Sequence, residues 1–144
     1  MFYVIAILLV LILAVLLLMN SKINQTRREM TGLPISATFP IQQKLKHEMN
    51  HMLVVSTECA VCQRIFNSLK NKGQLNTLYP VFKDEPKAVQ VFVAEHPHLK
   101  KAHIISNMNP QQLYIQTTPL AYTINQSGTI LKKQAVVSLK ELNL

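Results

Sequence analysis

The only two cysteines of the chain stand together as Cys59-Ala60-Val61-Cys62, between an unbroken apolar stretch and a segment with helical spacing. The apolar stretch, His51 with Met52-Leu53-Val54-Val55 and Ser56, reads as a strand buried on both faces, as in the interior of a parallel sheet. After it, Cys62, Ile65, Phe66 and Leu69 fall at i, i+3, i+4 and i+7, Arg64, Lys70 and Lys72 fall on the opposite side, and Gly73 supplies a stop. Both cysteines therefore sit on the first turn of an amphipathic helix. Two intervening residues let the sulfurs meet there, and the unpaired N–H groups of the turn stabilise a thiolate. This arrangement predicts a redox dithiol with Cys59 as nucleophile. The same residues also suit half of a tetrahedral zinc site, with His96 and His98 as the remaining ligands, or a pair of small buried apolar side chains. Against zinc, there is no third cysteine, and Glu95-His96-Pro97-His98 lacks finger-like spacing.

Residues 1–19 are apolar without a single charge, enough for a helix of about 28 Å, close to the hydrocarbon thickness of a bilayer. A cleaved signal peptide would carry a basic n-region and a small-residue cleavage site, and neither is present. The reading is an uncleaved transmembrane anchor over residues 1–20 that meets membrane lipid through residues 1–19. A polar, basic juxtamembrane stalk follows over residues 21–31, and a domain with its own core over residues 32–144. The net charge is +8, but the positive side chains are scattered singly or as Lys100-Lys101 and Lys132-Lys133, without aromatic interleaving. No nucleic-acid partner is expected.

Orientation sets two arguments against each other. Lys22, Arg27 and Arg28 follow the anchor, which by the positive-inside rule favours a cytoplasmic domain. A membrane-tethered dithiol is most useful where disulfides persist, outside the cytoplasm, and an extracytoplasmic redox domain is the expectation adopted.

Along the domain the elements are short and alternate. Residues 35–41 read as a short strand or extended lead-in between Pro34 and Pro40, and residues 44–50 as a helical turn. Residues 75–79 extend the first helical region before Pro80 interrupts, and residues 88–93 read as a second buried strand. Pro97 opens a helix running to about Ile105, and Asn109-Pro110 has the cap-plus-N1 signature of another. Leu120 to Asn125 is a third strand, Gln126-Ser127-Gly128 a turn, and residues 129–133 its antiparallel partner. Ser138 caps a last helix through Leu139, Leu142 and Leu144. The class is α/β.

With Cys-x-x-Cys at the end of the first of these strands, the order resembles the thioredoxin fold, a central mixed sheet flanked by helices. Thr117-Thr118-Pro119, directly before the third strand, looks like that family's cis-proline loop. The resemblance implies that Pro119 is cis beside the cysteines and that Thr118 and Pro119 bind the substrate chain. Gly32-Leu33-Pro34, the segment from Ser56 to Cys62 and the C-terminal Gly-Thr-Ile-Leu-Lys-Lys and Val-Val-Ser-Leu-Lys-Glu-Leu resemble the methylamine-utilisation thioredoxin-like proteins and their membrane-bound relatives. Val61 stands where those proteins carry proline, Leu53 where thioredoxin keeps a buried Asp, and no tryptophan flanks the motif. Glu58 precedes the nucleophile, where its carboxylate would raise the thiol pKa against the lowering by the helix terminus; it is also a candidate proton relay.

The resemblance implies a membrane-tethered thiol-disulfide oxidoreductase that reduces, forms or isomerises disulfides in cysteine-containing protein substrates, in exchange with a membrane or extracytoplasmic redox partner and without a further cofactor. The other reading is a non-catalytic binding or assembly module of a membrane complex, its cysteines structural.

Overall fold

The computed structural model describes residues 1–69 and 73–142. Lys70, Lys72 and Leu144, named above, lie outside that set. Helix α1, Phe2–Met30, is continuous through the apolar run and the basic segment after it. Its first 23 residues, Phe2–Asn24, are long and apolar enough to cross a membrane, and none of that window is buried against the rest of the chain. Side chains with no aqueous reason to be exposed, such as Leu8 at 57% and Leu9 at 61%, cover it all round.

The sheet has four strands: β1 (Met49–Val55), β2 (Leu78–Phe82), β3 (Leu120–Asn125) and β4 (Ile130–Ala135), in the order β2-β1-β3-β4. β1 pairs in parallel with β2, and the other pairings are antiparallel. A parallel pair needs a crossover, and α2 (Ala60–Ser68) with the 3-10 turn Gly73–Thr77 provides it. Residues of β1 alternate between two cores. Leu53 and Val55 face Ile65 and Phe66 of α2, Leu69 at its C-cap, and Val89 and Phe92 of α3 (Pro86–Glu95). Met52 and Val54 face Phe39, Leu45, Leu113, Tyr122 and Ile124. Phe66, Phe82 and Phe92 meet with ring centroids 5.7 to 6.0 Å apart, within the range of favourable aromatic pairing.

Several expectations are corrected. Residues 88–93 form helix, not strand: Pro86 occupies the first turn and only Val89 and Phe92, three apart, are buried. The run of β-branched and aromatic residues there follows a helical period that its composition disguises. The strand in that part of the chain is β2, with Pro80 inside it. Leu78 and Pro80 carbonyls and the Phe82 N–H all pair with His103 and Ile105 on the outer side, so the N–H that proline lacks is missing from the sheet margin and not from the β1 ladder. Accordingly the helix opened by Pro97 stops at Lys101, and Ile105 bridges in parallel to Val81. Residues 44–50 form no helical turn; β1 begins at Met49.

Other expectations are met. Asn109 caps α4 (Pro110–Leu113), accepting the Gln111 N–H at 3.0 Å. The β3–β4 hairpin turns at Gly128, whose φ of +87° is readily available only to glycine. The lead-in departs from the expectation in part: residues 35–36 form a turn, with Ser36 at φ +72° and the Ala37 N–H on the Pro34 carbonyl at 3.2 Å, and beyond it Thr38 bridges to Thr129, just before β4. The expected last helix, capped by Ser138 and running through Leu144, is corrected to a single 3-10 turn, Leu139–Leu142, whose Glu141 carboxylate accepts the Val137 N–H at 3.0 Å; Leu144 lies outside the described residues.

Where α1 meets the sheet, Gly32 has φ +83° and a Cβ there would overlap the Tyr122 hydroxyl. That hydroxyl accepts the Leu33 N–H at 2.9 Å. Burial pushes the Tyr122 phenol up to about 12, against a smaller lowering by the Leu33 N–H. An unfolded chain releases this proton near 10.0 and the folded chain only near 12, so the stabilisation holds in full below the lower value and is lost as pH rises between the two. Tyr122→Phe should remove that alkaline loss and cost about 1 kcal/mol at neutral pH through the orphaned Leu33 N–H, both read by urea unfolding of the detergent-solubilised chain.

Candidate active site

At one end of the sheet β1 stops, α2 starts and β3 begins, so residues 56–62 and 117–119 converge there. Cys59 is the N-cap of α2, with its sulfur accepting the Cys62 N–H at 3.2 Å. Cys59 and Cys62 are joined as a disulfide, their Cα atoms 5.2 Å apart. Cys62 is fully buried beneath the apolar face of α2, whereas Cys59 is half-buried and reachable from solvent. This asymmetry suits an attacking sulfur and a shielded resolving one.

Across from the pair, the Thr118–Pro119 peptide is cis, and the Thr118 carbonyl oxygen lies 3.6 Å from the Cys59 sulfur. Pro119 is buried and Thr118 half-buried. The four residues singled out from sequence, Cys59, Cys62, Thr118 and Pro119, are therefore brought together. Glu58 is exposed beside them, its N–H directed to Ser56 Oγ at 3.4 Å. Leu53 is fully buried among apolar side chains, so no proton acceptor stands at that position.

One residue escaped the reading of the sequence. Asp84, two positions beyond β2, accepts the Ser56 hydroxyl at 3.0 Å and the Thr57 N–H at 2.8 Å with its two carboxylate oxygens. It fastens the loop that delivers Cys59, which Gln63 Nε2 further ties through the Thr57 carbonyl at 3.1 Å. The register Val55–Phe82 places Asp84 next to Ser56, and that register is invisible until β2 is placed correctly.

His96 and His98 do not approach the cysteines as ligands. His96 stacks on Phe92 at 4.3 Å with Nδ1 on the Phe92 carbonyl, and His98 Nε2 lies 2.8 Å from the Phe66 carbonyl at the end of α2. Among the described residues no three His, Cys, Asp or Glu side chains gather where they could hold a metal ion.

Comparison with known proteins places this arrangement. No protein-family model and no curated protein matches the sequence. Solved structures do match. A thio-disulfide isomerase from Thermus thermophilus is 14% identical over 78% of this chain and 91% of its own, with a TM-score of 0.53. A domain of a possible thiol-disulfide isomerase from Cytophaga hutchinsonii is 13% identical over 77% and 89%, with a TM-score of 0.57. StoA from Bacillus subtilis is 15% identical over 76% and 98%, with a TM-score of 0.53. The fold is thioredoxin-like, and the cysteine pair sits on it at the sheet end just described.

Removing the Asp84 carboxylate leaves the Thr57 N–H and the Ser56 hydroxyl without their charged acceptor, a loss of about 1–3 kcal/mol. Asp84→Ala should lower the stability of the oxidised chain by that order and slow attack on the disulfide, while Asp84→Asn, which retains one acceptor oxygen, recovers part of both. Urea unfolding and the rate of reduction by dithiothreitol measure the two effects.

Proposed function

We propose that this chain is a membrane-tethered thiol-disulfide oxidoreductase. The observation that carries the reading is the pairing, on a thioredoxin-like fold, of a half-exposed Cys59 at a helix N-terminus with a fully buried Cys62, facing the Thr118–Pro119 peptide. In the oxidative direction a substrate thiolate attacks Cys59 Sγ, the Cys59–Cys62 bond breaks and Cys62 leaves as a thiolate. A second substrate thiolate then attacks the substrate sulfur of the mixed disulfide, and Cys59 departs. Two electrons pass from substrate to protein and the substrate keeps the new disulfide. Reduction follows the same path backwards, with direction set by the relative reduction potentials.

The chain's own groups have defined parts in this reading. The Cys62 N–H and the dipole of α2 stabilise negative charge on Cys59. Thr118 offers backbone to an extended substrate segment in the manner of an added strand, and Pro119, having no N–H, makes no competing donation. Glu58 takes and returns protons at the solvent side of Cys59. The substrates are cysteine-containing proteins, the anchor is residues 1–20, and the redox domain is extracytoplasmic.

Cys59→Ser should abolish turnover, and reduced Cys62→Ser given a substrate disulfide should accumulate a mixed disulfide with it, since in the reductive direction Cys62 is the thiol that resolves it. Faster alkylation of Cys62 than of Cys59 by iodoacetamide in the reduced protein would reverse the assignment. A permanent disulfide, unreactive in glutathione buffers across the physiological range, would replace the enzyme with a structural module. Protease added to spheroplasts should digest the chain beyond residue 32, and protection would place that region in the cytoplasm.

A further inference from the structure

The path of the chain into α1 is ordered along β4. Followed backwards from Phe39, it climbs the strand: the Phe39 N–H bonds the Gly128 carbonyl, the Ser36 N–H bonds the Ile130 carbonyl, and the Thr31 carbonyl accepts Lys133 Nζ at 3.2 Å. Next, Leu17, Asn20, Ser21 and Asn24, one face of α1, line a groove shared with Ala135, Val137 and Glu141. The apolar helix thus passes β4 at Ala135, the residue paired with Leu120, and Leu120 directly follows Pro119. β4 lies two strands from β1, about 10 Å across the sheet. The point at which the spanning segment meets the folded region is therefore at the dithiol end of the sheet, and the remaining helix, exposed on all sides, continues away from that end.

The side chains around this point suit a lipid–water boundary. Tyr114 is 72% exposed, and its carbonyl accepts the Gly32 N–H at 2.9 Å. Val137 is 54% exposed beside the α1 groove. An exposed aromatic and an exposed apolar residue flanking the exit of a spanning helix match the composition of the interfacial layer. The connection is also short, because α1 runs unbroken to Met30 and the Thr31 carbonyl, one residue past its end, is tied to β4 by Lys133 Nζ.

We propose that the dithiol end of the sheet faces the bilayer surface, and that the disulfides and dithiols it exchanges with belong to membrane-embedded proteins presenting them within the lipid headgroup layer. The second half of this statement rests on the oxidoreductase reading; the first half does not. The anchor and its short, Lys133-tied connection to β4 together hold Cys59 within reach of headgroups and turn it away from the bulk solution.

Two measurements on the full chain in phosphatidylcholine–phosphatidylglycerol vesicles separate the halves. The sequence has no tryptophan, so Ala60→Trp at the dithiol and Gln126→Trp at the opposite end of the sheet are single reporters. A nitroxide on the lipid headgroup should quench Ala60→Trp with large loss of fluorescence and leave Gln126→Trp nearly unchanged; equal quenching, or the reverse order, overturns the orientation. In the second measurement, reduced protein meets a pyridyl disulfide on a lipid headgroup or on a soluble peptide. Cys59 thiolate attacks, pyridine-2-thione leaves, and Cys62 then displaces the lipid or peptide thiol, so that two electrons leave the dithiol and the protein disulfide re-forms. The headgroup disulfide should react about tenfold faster at matched bulk concentration, and a Gly-Ser insert of about 12 residues after Asn24 should remove most of that advantage without slowing the peptide reaction. Equal rates for headgroup and peptide in the uninserted chain overturn the substrate assignment. Failure of both disulfides to react, with the quenching order as expected, overturns the oxidoreductase reading and keeps the orientation.

Discussion

Everything in the folded region is built around β1, because no residue from Met52 to Val55 has any surface left for water. A strand with both faces apolar needs a layer on each side and a hydrogen-bonding neighbour on each edge, since an unpaired buried N–H or C=O costs about as much as a lost hydrogen bond. The chain meets those demands with β2 and β3 at the edges, α2 and α3 on one face, and the lead-in with residues 105–115 on the other. The cysteines follow from the same constraint. They come soon after the fully buried run of residues 52–55, where the chain must turn and emerge, so the dithiol stands at the margin of the core with one sulfur inside it and one outside.

That margin balances opposing local fields. The Cys62 N–H at 3.2 Å favours a negative Cys59 sulfur, and the Thr118 carbonyl at 3.6 Å presents the negative end of its dipole to the same atom. Glu58 adds a negative charge nearby, but as an exposed side chain its field is weakened by solvent. Asp84 is also acidic, yet both its oxygens are engaged with the loop, so it shapes the approach of Cys59 more than its charge. The helix terminus and its N–H are the contributions that stay fixed as solvent exchanges around the pair.

Those parts of the site whose signal is local were legible in the sequence. The apolar run, the Cys-x-x-Cys spacing and the i, i+3, i+4 pattern of α2 each lie within a dozen residues, and Thr118-Pro119 stands directly before a strand with clean alternation. Legibility failed where the signal depends on the partner. Pro80 reads as a breaker unless it is known that its missing N–H falls on the sheet margin. Residues 88–93 read as strand because Val, Phe and Val dominate, although the chain buries only Val89 and Phe92. Asp84 had no visible role because its value comes from the β1–β2 register, a contact between segments 28 positions apart.

The conflict between charge and chemistry over the orientation of the proposed anchor also has a structural side. A helix of 29 residues ends in unpaired carbonyls and the negative end of its dipole, and cations are favoured there whichever compartment it enters. Lys133 supplies one such cation from β4, donating Nζ to the Thr31 carbonyl just past the helix end. Arg27 lies in the last turn of the same helix. Basic residues at this flank thus have a reason to be present that is independent of topology, which weakens the positive-inside argument for a cytoplasmic domain at the only place where it applies. The argument from disulfide chemistry is untouched by that consideration, because it depends on the cysteine pair and not on the helix that carries it.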